Sequence, residues 1–183
     1  MGSDPDFAVA ARQTGELFAR NNITLVYGGA QVGLMGVVAD AALAAGGRVV
    51  GVTPRGLWAD GVDHAGLSEL IVADSMHDRK RRMSELADAF VALPGGLGTL
   101  DELAEIATWS QLGLHRKPIA TLDVNGYWSG LHAFLRTSAK TGLLREQYLD
   151  LIMNVTGGPA ALLPALRSYV APPTGKWTGP VTA

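Results

Sequence analysis

Leu93-Pro94-Gly95-Gly96-Leu97-Gly98-Thr99-Leu100-Asp101-Glu102 joins a dense glycine run to a carboxylate. It follows the apolar segment Ala89-Phe90-Val91-Ala92 and opens a helix-like stretch. Glycines at such a junction let a ligand approach the backbone without side chains in the way. Amide N–H groups of a first helical turn point outward there, and the helix dipole favours an anion. The chemistry predicted is a phosphate cradle with Glu102 one turn into the helix. A plainer reading competes. Thr99 reads as a helix N-cap, and Thr99-Leu100-Asp101-Glu102 fits a capping box in which Glu102 reaches back to the Thr99 amide. Capping accounts for Thr99 and Glu102 but not for the crowding of Gly95, Gly96 and Gly98.

A second glycine turn, Tyr27-Gly28-Gly29-Ala30-Gln31-Val32-Gly33-Leu34-Met35-Gly36, also ends a strand-like run. It is no Walker loop, because Leu34-Met35 follow Gly33 where Lys and Ser/Thr are needed, and its spacing is not the dinucleotide fingerprint. Tight turning and close helix–sheet packing at Gly33 and Gly36 are the plainer explanation. Met76-His77-Asp78-Arg79-Lys80-Arg81-Arg82-Met83 puts cations at a helix start, against the dipole. Arg81 and Arg82 read as a solvated face. Arg79 or Lys80 is the better candidate to turn toward a ligand, since a guanidinium can hold a phosphate bidentately. His64, His77, His115 and His132 show no metal-ligand spacing, and no metal is expected. Asp60 and Asp63 read as solvated loop acids, and Trp109 and Trp128 as core aromatics.

The elements that must position these groups alternate. Helical spacing covers Phe7 to Arg20, Val32 to Ala45, His77 to Asp88, Thr99 to Leu112, Trp128 to Thr141 and Pro159 to Val170. Strand-like runs cover Ile23 to Tyr27, Arg48 to Thr53, Glu69 to Ala73, Ala89 to Leu93, Pro118 to Leu122 and Leu151 to Val155. Pro54 to Ser68 is long for a loop, as functional loops often are. Alternation of this kind predicts an α/β, Rossmann-like, doubly wound parallel sheet covered on both faces, as one domain over 1–170 with a flexible tail over 171–183. Ligands of such sheets bind outside the strands' carboxyl ends, where both glycine turns fall.

The chain has 183 residues, 48% hydrophobic and 17% charged, a globular composition. A net charge of −2 disfavours a nucleic-acid partner. With no cysteine there are no disulfides and no thiol nucleophile. No apolar run reaches membrane-spanning length, so no membrane partner is expected and the expected setting is cytoplasmic.

These motifs together resemble the LONELY GUY family of cytokinin riboside 5′-monophosphate phosphoribohydrolases, once mislabelled lysine decarboxylases. The family hallmark Pro-Gly-Gly-x-Gly-Thr-x-x-Glu is met by Pro94 through Glu102 without departure. Leu25-Val26-Tyr27-Gly28-Gly29, Val32-Gly33-Leu34-Met35-Gly36, Glu69-Leu70-Ile71-Val72, Met76-His77-x-Arg79-Lys80-x-x-Met83 and Thr108-Trp109-x-Gln111-Leu112-Gly113 follow in the same order. The resemblance runs from about Ala8 to Val155. It implies a Rossmann-like homodimer that hydrolyses the N-glycosidic bond of N6-modified adenosine monophosphates and needs no cofactor. It implies Arg79 and Glu102 as the catalytic pair. The candidate substrate-binding positions are Gly28, Gly29, Met76, Lys80, Gly95, Gly96, Leu97, Gly98, Thr99, Leu100, Asp101 and Thr108.

Two departures bear on the resemblance. Family members usually open on a strand ending in a Gly-Ser-Ser-like turn, where this sequence shows only Gly2-Ser3. Some carry a substrate-contacting Glu in the long loop, where Gly61 stands here, with Asp60 or Asp63 as possible substitutes. Rival readings are a broader adenosine monophosphate N-glycosidase and a nucleotide or cofactor carrier without turnover.

Overall fold

A computed structural model describes residues 2–56 and 64–173. Asp60, Gly61 and Asp63, and the tail from residue 174 onward, lie outside the described residues. The chain forms two compact units, Met1–Ala87 and Asp88–Ala183.

In the first unit, α1 (Pro5–Arg20) starts two residues earlier than the apolar spacing suggests. The Asp4 carboxylate accepts from the Asp6 amide at 2.9 Å, and Pro5 fills a first-turn position where its missing N–H costs nothing. Then come β1 (Leu25–Tyr27), α2 (Gly33–Ala44), β2 (Val49–Pro54), β3 (Glu69–Ala73) and α3 (Met76–Leu86). The three strands pair in parallel in the order β1-β2-β3, with Leu25 opposite Val49 and Val50 opposite Glu69. Burial on both faces holds for the central β2, whose six residues are all buried. It does not hold for the outer β3, where Leu70 and Val72 stay exposed. α1 lies close against α2 because Gly15 abuts the Val38 carbonyl, where a Cβ would collide. Tyr27, Ala39, Ala42 and Val49 form the core beneath.

The second unit runs β4 (Phe90–Ala92), α4 (Leu97–Gln111), β5 (Ile119–Leu122), α5 (Ser129–Lys140), a 3-10 helix Glu146–Leu151, β6 (Ile152–Val155), a 3-10 turn Pro159–Ala161 and α6 (Leu162–Ser168). Its strands are parallel in the order β4-β5-β6. Leu103, Ile106, Ile119, Trp128 and Ile152 make the core, with Trp109 packed partly buried against it. Both tryptophans are therefore core residues, as their apolar settings suggest. The 3-10 helix has no counterpart in the sequence reading. Its signal is a spacing of three: Tyr148 and Leu151 are its buried residues, and i and i+3 eclipse in that geometry.

Each glycine turn follows the carboxyl end of the first strand of its unit. Each also precedes a helix, α2 or α4, whose N-cap residue makes no side-chain capping bond.

The basic helix α3 solves its dipole problem locally. The Ser75 hydroxyl accepts from the Asp78 amide at 3.1 Å, and the Asp78 carboxylate accepts from the Asp74 amide at 3.1 Å. That carboxylate also takes Arg81 at 2.6 Å and Arg82 at 2.8 Å, and Arg81 reaches on to Glu85 at 2.6 Å. The hydrogen bond from Arg81, then that from the Asp74 amide, holds the Asp78 carboxyl down to about 2. A carboxylate with a depressed folded value stabilises above its unfolded value of 3.8 and loses that contribution as pH falls toward about 2. Asp78→Asn is expected to melt below the wild type at pH 7, and the two melting curves should converge by about pH 2. A gap that persisted in acid would show that the charge is not what Asp78 contributes.

Candidate active site

α4 begins at Leu97, with Gly96 as its N-cap in extended conformation (φ −88°, ψ −151°) and no side-chain cap. The capping box expected at Thr99–Glu102 is therefore absent. Thr99 is the third helical residue and Glu102 the sixth, so neither occupies a capping position. The helix starts two residues earlier than expected because glycine is itself an acceptable N-cap. The Thr99 side chain lies against Gly95, where an added Cβ would collide with it. The first helical bond runs from the Leu100 amide to the Gly96 carbonyl at 3.0 Å. Within the helix ladder, the amides of Leu97, Gly98 and Thr99 precede any i−4 carbonyl partner, as first-turn amides must.

The glycines of this loop differ in purpose. Gly95 is close-packed. A Cβ on Gly96 or Gly98 would meet nothing within 4 Å, and neither takes a left-handed φ. Neither packing nor backbone conformation demands glycine at these two positions. Gly96, Leu97 and Gly98 are exposed, Leu97 at 85%.

Gly98 and Glu102 are four residues apart and share one face of α4, one turn of about 5.4 Å along the axis. Leu97, Leu100, Ala104, Thr108 and Gln111 share another face, turned about half a revolution from Glu102 at about 100° per residue. With Gly95, Gly96, Trp128, Leu131, Leu135, Tyr148 and Leu151 they wall an apolar cleft of about 790 Å³. Thr108 spends its hydroxyl inside the helix, donating to the Ala104 carbonyl at 2.7 Å. The sequence reading pooled these residues. The helix instead directs Leu97, Leu100 and Thr108 into the cleft and Gly98 and Glu102 away from it. Asp101 is exposed and Glu102 half-buried.

In the first unit Arg79 is buried, at 6% exposure. Its Nε donates to the Val52 carbonyl on β2 at 2.9 Å. Gly28, just past β1, has no side chain because a Cβ there would occupy the place of the Arg79 guanidinium. The guanidinium thus sits at the carboxyl ends of β1 and β2. Gly29 is buried with φ +82°, and its carbonyl accepts from the His64 amide at 2.9 Å. Gly36 is pressed against the Gln31 backbone in the turn before its own helix rather than against a strand, and Gly33 takes φ +62° in open space. Lys80 is half-buried and Met76 exposed. Arg81 and Arg82 stay with the Asp78 carboxylate on the surface of α3.

Two features escaped the sequence reading. The Tyr127 hydroxyl donates to the Gly95 carbonyl at 2.7 Å. The available signal was Asn125-Gly126, a turn dipeptide just past the carboxyl end of β5. Behind it lies a polar network, buried at Thr121, Asp123 and His132 and exposed at Asn154. Thr121 Oγ1 meets His132 Nε2 at 2.9 Å, Asp123 accepts from the Trp128 amide at 3.0 Å, and Asn154 donates to Asp123 at 3.4 Å. Burial pushes the His132 imidazole below the usual histidine range. Among the described residues no group of three His, Asp or Glu side chains is placed to hold a metal, and no helix is long and apolar enough to cross a membrane.

Comparison with known proteins gives these features a lineage. A family model described as "Possible lysine decarboxylase" matches residues 35–166. A cytokinin riboside 5′-monophosphate phosphoribohydrolase of Rhodococcoides fascians is 47% identical over 78% of this chain and 73% of its own length. A probable enzyme of the same name from Oryza sativa subsp. japonica is 42% identical over 94% of this chain and 70% of its own. Another from Arabidopsis thaliana is 38% identical over 92% and 79%. Among solved structures, the molybdenum cofactor binding protein of Rippkaea orientalis superposes with a TM-score of 0.69 at 22% identity, covering 90% of this chain and 88% of that one. The molybdenum cofactor carrier protein of Chlamydomonas reinhardtii gives 0.66 at 22% identity over the same shares. At that identity the structural likeness concerns the fold, Rossmann-like α/β. The family model and the curated relatives go further: the chain belongs to the LONELY GUY family, the family of cytokinin riboside 5′-monophosphate phosphoribohydrolases.

Proposed function

We propose that this protein hydrolyses the N-glycosidic bond of N6-modified adenosine 5′-monophosphates, releasing the free base and ribose 5-phosphate. One observation carries the reading: Gly96 and Gly98 are glycines without an internal reason at the start of a helix whose N-cap has no side chain, and Gly98 lies one turn below a carboxylate on the same face. Their missing side chains leave room for an anion against the first-turn amides. A ribose 5-phosphate held there by its phosphate extends along the helix toward Glu102. The names of the curated relatives support the same substrate class.

In this mechanism the C1′–N bond breaks with its electron pair leaving on the base, and water supplies the hydroxyl at C1′. Positive charge builds on the sugar, and the Glu102 carboxylate stabilises it or takes a proton from the attacking water. The departing base ends with a proton on its ring nitrogen. Arg79 is proposed as the second catalytic residue, by electrostatic stabilisation. A guanidinium keeps its charge in proteins, so it is no proton donor. Gly28, Gly29, Met76, Lys80, Gly95, Thr99, Asp101 and the Leu97 amide remain proposed binding positions, whereas Leu100 and Thr108 face the apolar cleft instead. The phosphate is bound remotely from the broken bond, and its binding energy serves to orient the sugar.

We propose also that the chain works in the cytoplasm, as a homodimer through the apolar cleft. That cleft lies on the face of α4 away from Glu102, so it does not suit a substrate held at that carboxylate. Leu97 and Phe134 on its rim are 85% and 64% exposed, and contiguous apolar surface of this kind marks a protein partner. Light scattering should give twice the chain mass for the wild type and a smaller mass for Phe134→Asp; a monomeric wild type overturns the dimer.

Incubation with a panel of nucleoside monophosphates should yield ribose 5-phosphate, fastest from N6-substituted adenosine monophosphates and slowly from the matching nucleosides. Glu102→Gln should lower turnover by about 10²- to 10⁴-fold at nearly unchanged melting temperature. Equal rates for nucleoside and monophosphate, or full activity in Glu102→Gln, would remove the basis of the proposal. Gly98→Ala separates ligand space from fold stability. An alanine inside a helix is worth about 0.5–1 kcal/mol over glycine, so the variant should melt higher while KM for the monophosphate rises. An unchanged KM would mean that the open space over Gly98 is not where the phosphate goes.

A further inference from the structure

The Tyr127 hydroxyl holds the glycine loop's backbone at the Gly95 carbonyl, and it comes from a different element. It sits in the turn between β5 and α5, where Asn125 (φ +55°) and Gly126 (φ +77°) both take left-handed conformations. The turn is fixed from behind. The Tyr127 amide donates to the Val124 carbonyl at 3.1 Å, the Ser129 amide to the Gly126 carbonyl at 3.0 Å, and the Trp128 amide to the Asp123 carboxylate. The Tyr127 ring stacks edge-on against Trp128, centroids 5.2 Å apart, and Trp128 belongs to the core. The hydroxyl therefore reaches Gly95 from a rigid base.

We propose that Tyr127 is a positioning residue for the phosphate-binding loop, an inference that rests on the function proposed above. A trans peptide is planar, and its C=O and N–H point in opposite directions. Holding the Gly95 carbonyl toward Tyr127 turns the Gly96 amide the other way, away from Tyr127. The next residues along the chain present the first-turn amides of α4. Gly95 is held on its other side by the Thr99 side chain packed against its Cα. Glycine at 95 and 96 makes the Gly95–Gly96 peptide the loop's freest unit, since glycine restricts neither flanking dihedral. Without the Tyr127 hydroxyl this peptide can rotate and the Gly96 amide loses its fixed aim. Preorganised amides bind anions well because they pay no reorganisation on binding.

Tyr127→Phe keeps the ring, its contact with Trp128 and the turn, and removes only the hydrogen bond. Calorimetry with ribose 5-phosphate on wild type and variant is the direct test, with melting temperature and mass measured beside it. The variant should bind ribose 5-phosphate about three- to tenfold more weakly, the loss of one neutral hydrogen bond, at unchanged melting temperature and mass. In turnover, KM for the monophosphate should rise by a similar factor, while kcat/KM for the nucleoside without phosphate stays at the wild-type value. A purely structural role would lower both substrates together. Equal ribose 5-phosphate binding by the two proteins overturns the proposal, as does a wild type that binds none. A wild type that binds ribose 5-phosphate in a Tyr127-dependent way yet cleaves no monophosphate would sink the proposed reaction and leave Tyr127 as the loop's anchor.

Discussion

The first-turn amides of α4 have no carbonyl ahead of them in the helix, and their N-cap residue, Gly96, has no side chain to cap them. That single deficit organises the second unit. A helix start ordinarily takes Ser, Thr, Asp or Asn to satisfy such groups. α1 and α3 do so, with Asp4 and Ser75. α4 has Gly96 instead, and glycine supplies no oxygen. The chain forgoes roughly a few tenths of a kcal/mol of capping there. What it keeps is an outward-facing set of donors with space in front, held by Thr99 against Gly95 on one side and by Tyr127 on the Gly95 carbonyl on the other.

The first unit meets the opposite constraint. Burying a guanidinium is costly unless its donors are satisfied. Arg79 is buried and gives its Nε to the Val52 carbonyl, and Gly28 is bare so that the head group fits. Its neighbours Arg81 and Arg82 remain at the surface with Asp78 and Glu85, which also quiets the clash between a basic run and the helix dipole. Two positions only two residues apart on one short helix thus do different work. Residues 79 and 81 point about 200° apart, so one faces the sheet and the other the solvent.

Much of this was legible in the order of residues. Strand runs such as Val49-Val50-Gly51-Val52 and Ile119-Ala120-Thr121-Leu122 carry no charge and are almost wholly apolar, and both prove to be the central strands of parallel triplets. Outer strands were harder. Leu70-Ile71-Val72 reads as equally apolar, yet Leu70 and Val72 are exposed, because an edge position is decided by which strand lies beside it and not by composition. The start of α4 was misplaced by two residues. Thr99 followed by Glu102 satisfies the capping-box pattern, but a local pattern cannot tell that the helix has already begun at a glycine cap.

By itself the sequence determined the α/β alternation, the two glycine turns at strand ends, and the family, because these depend on local spacing and on ordered motifs. It also separated Arg79 and Lys80, as candidates, from Arg81 and Arg82. Only tertiary structure decided what each glycine is for. Gly28 makes room for a side chain fifty-one positions away, Gly95 for Thr99, and Gly96 and Gly98 for nothing within the protein. The same is true of Tyr127, thirty-two residues from the carbonyl it holds. A residue's type records that space or a donor is needed. Which partner fills that space is fixed only when distant segments fold against one another, and no local pattern carries that information.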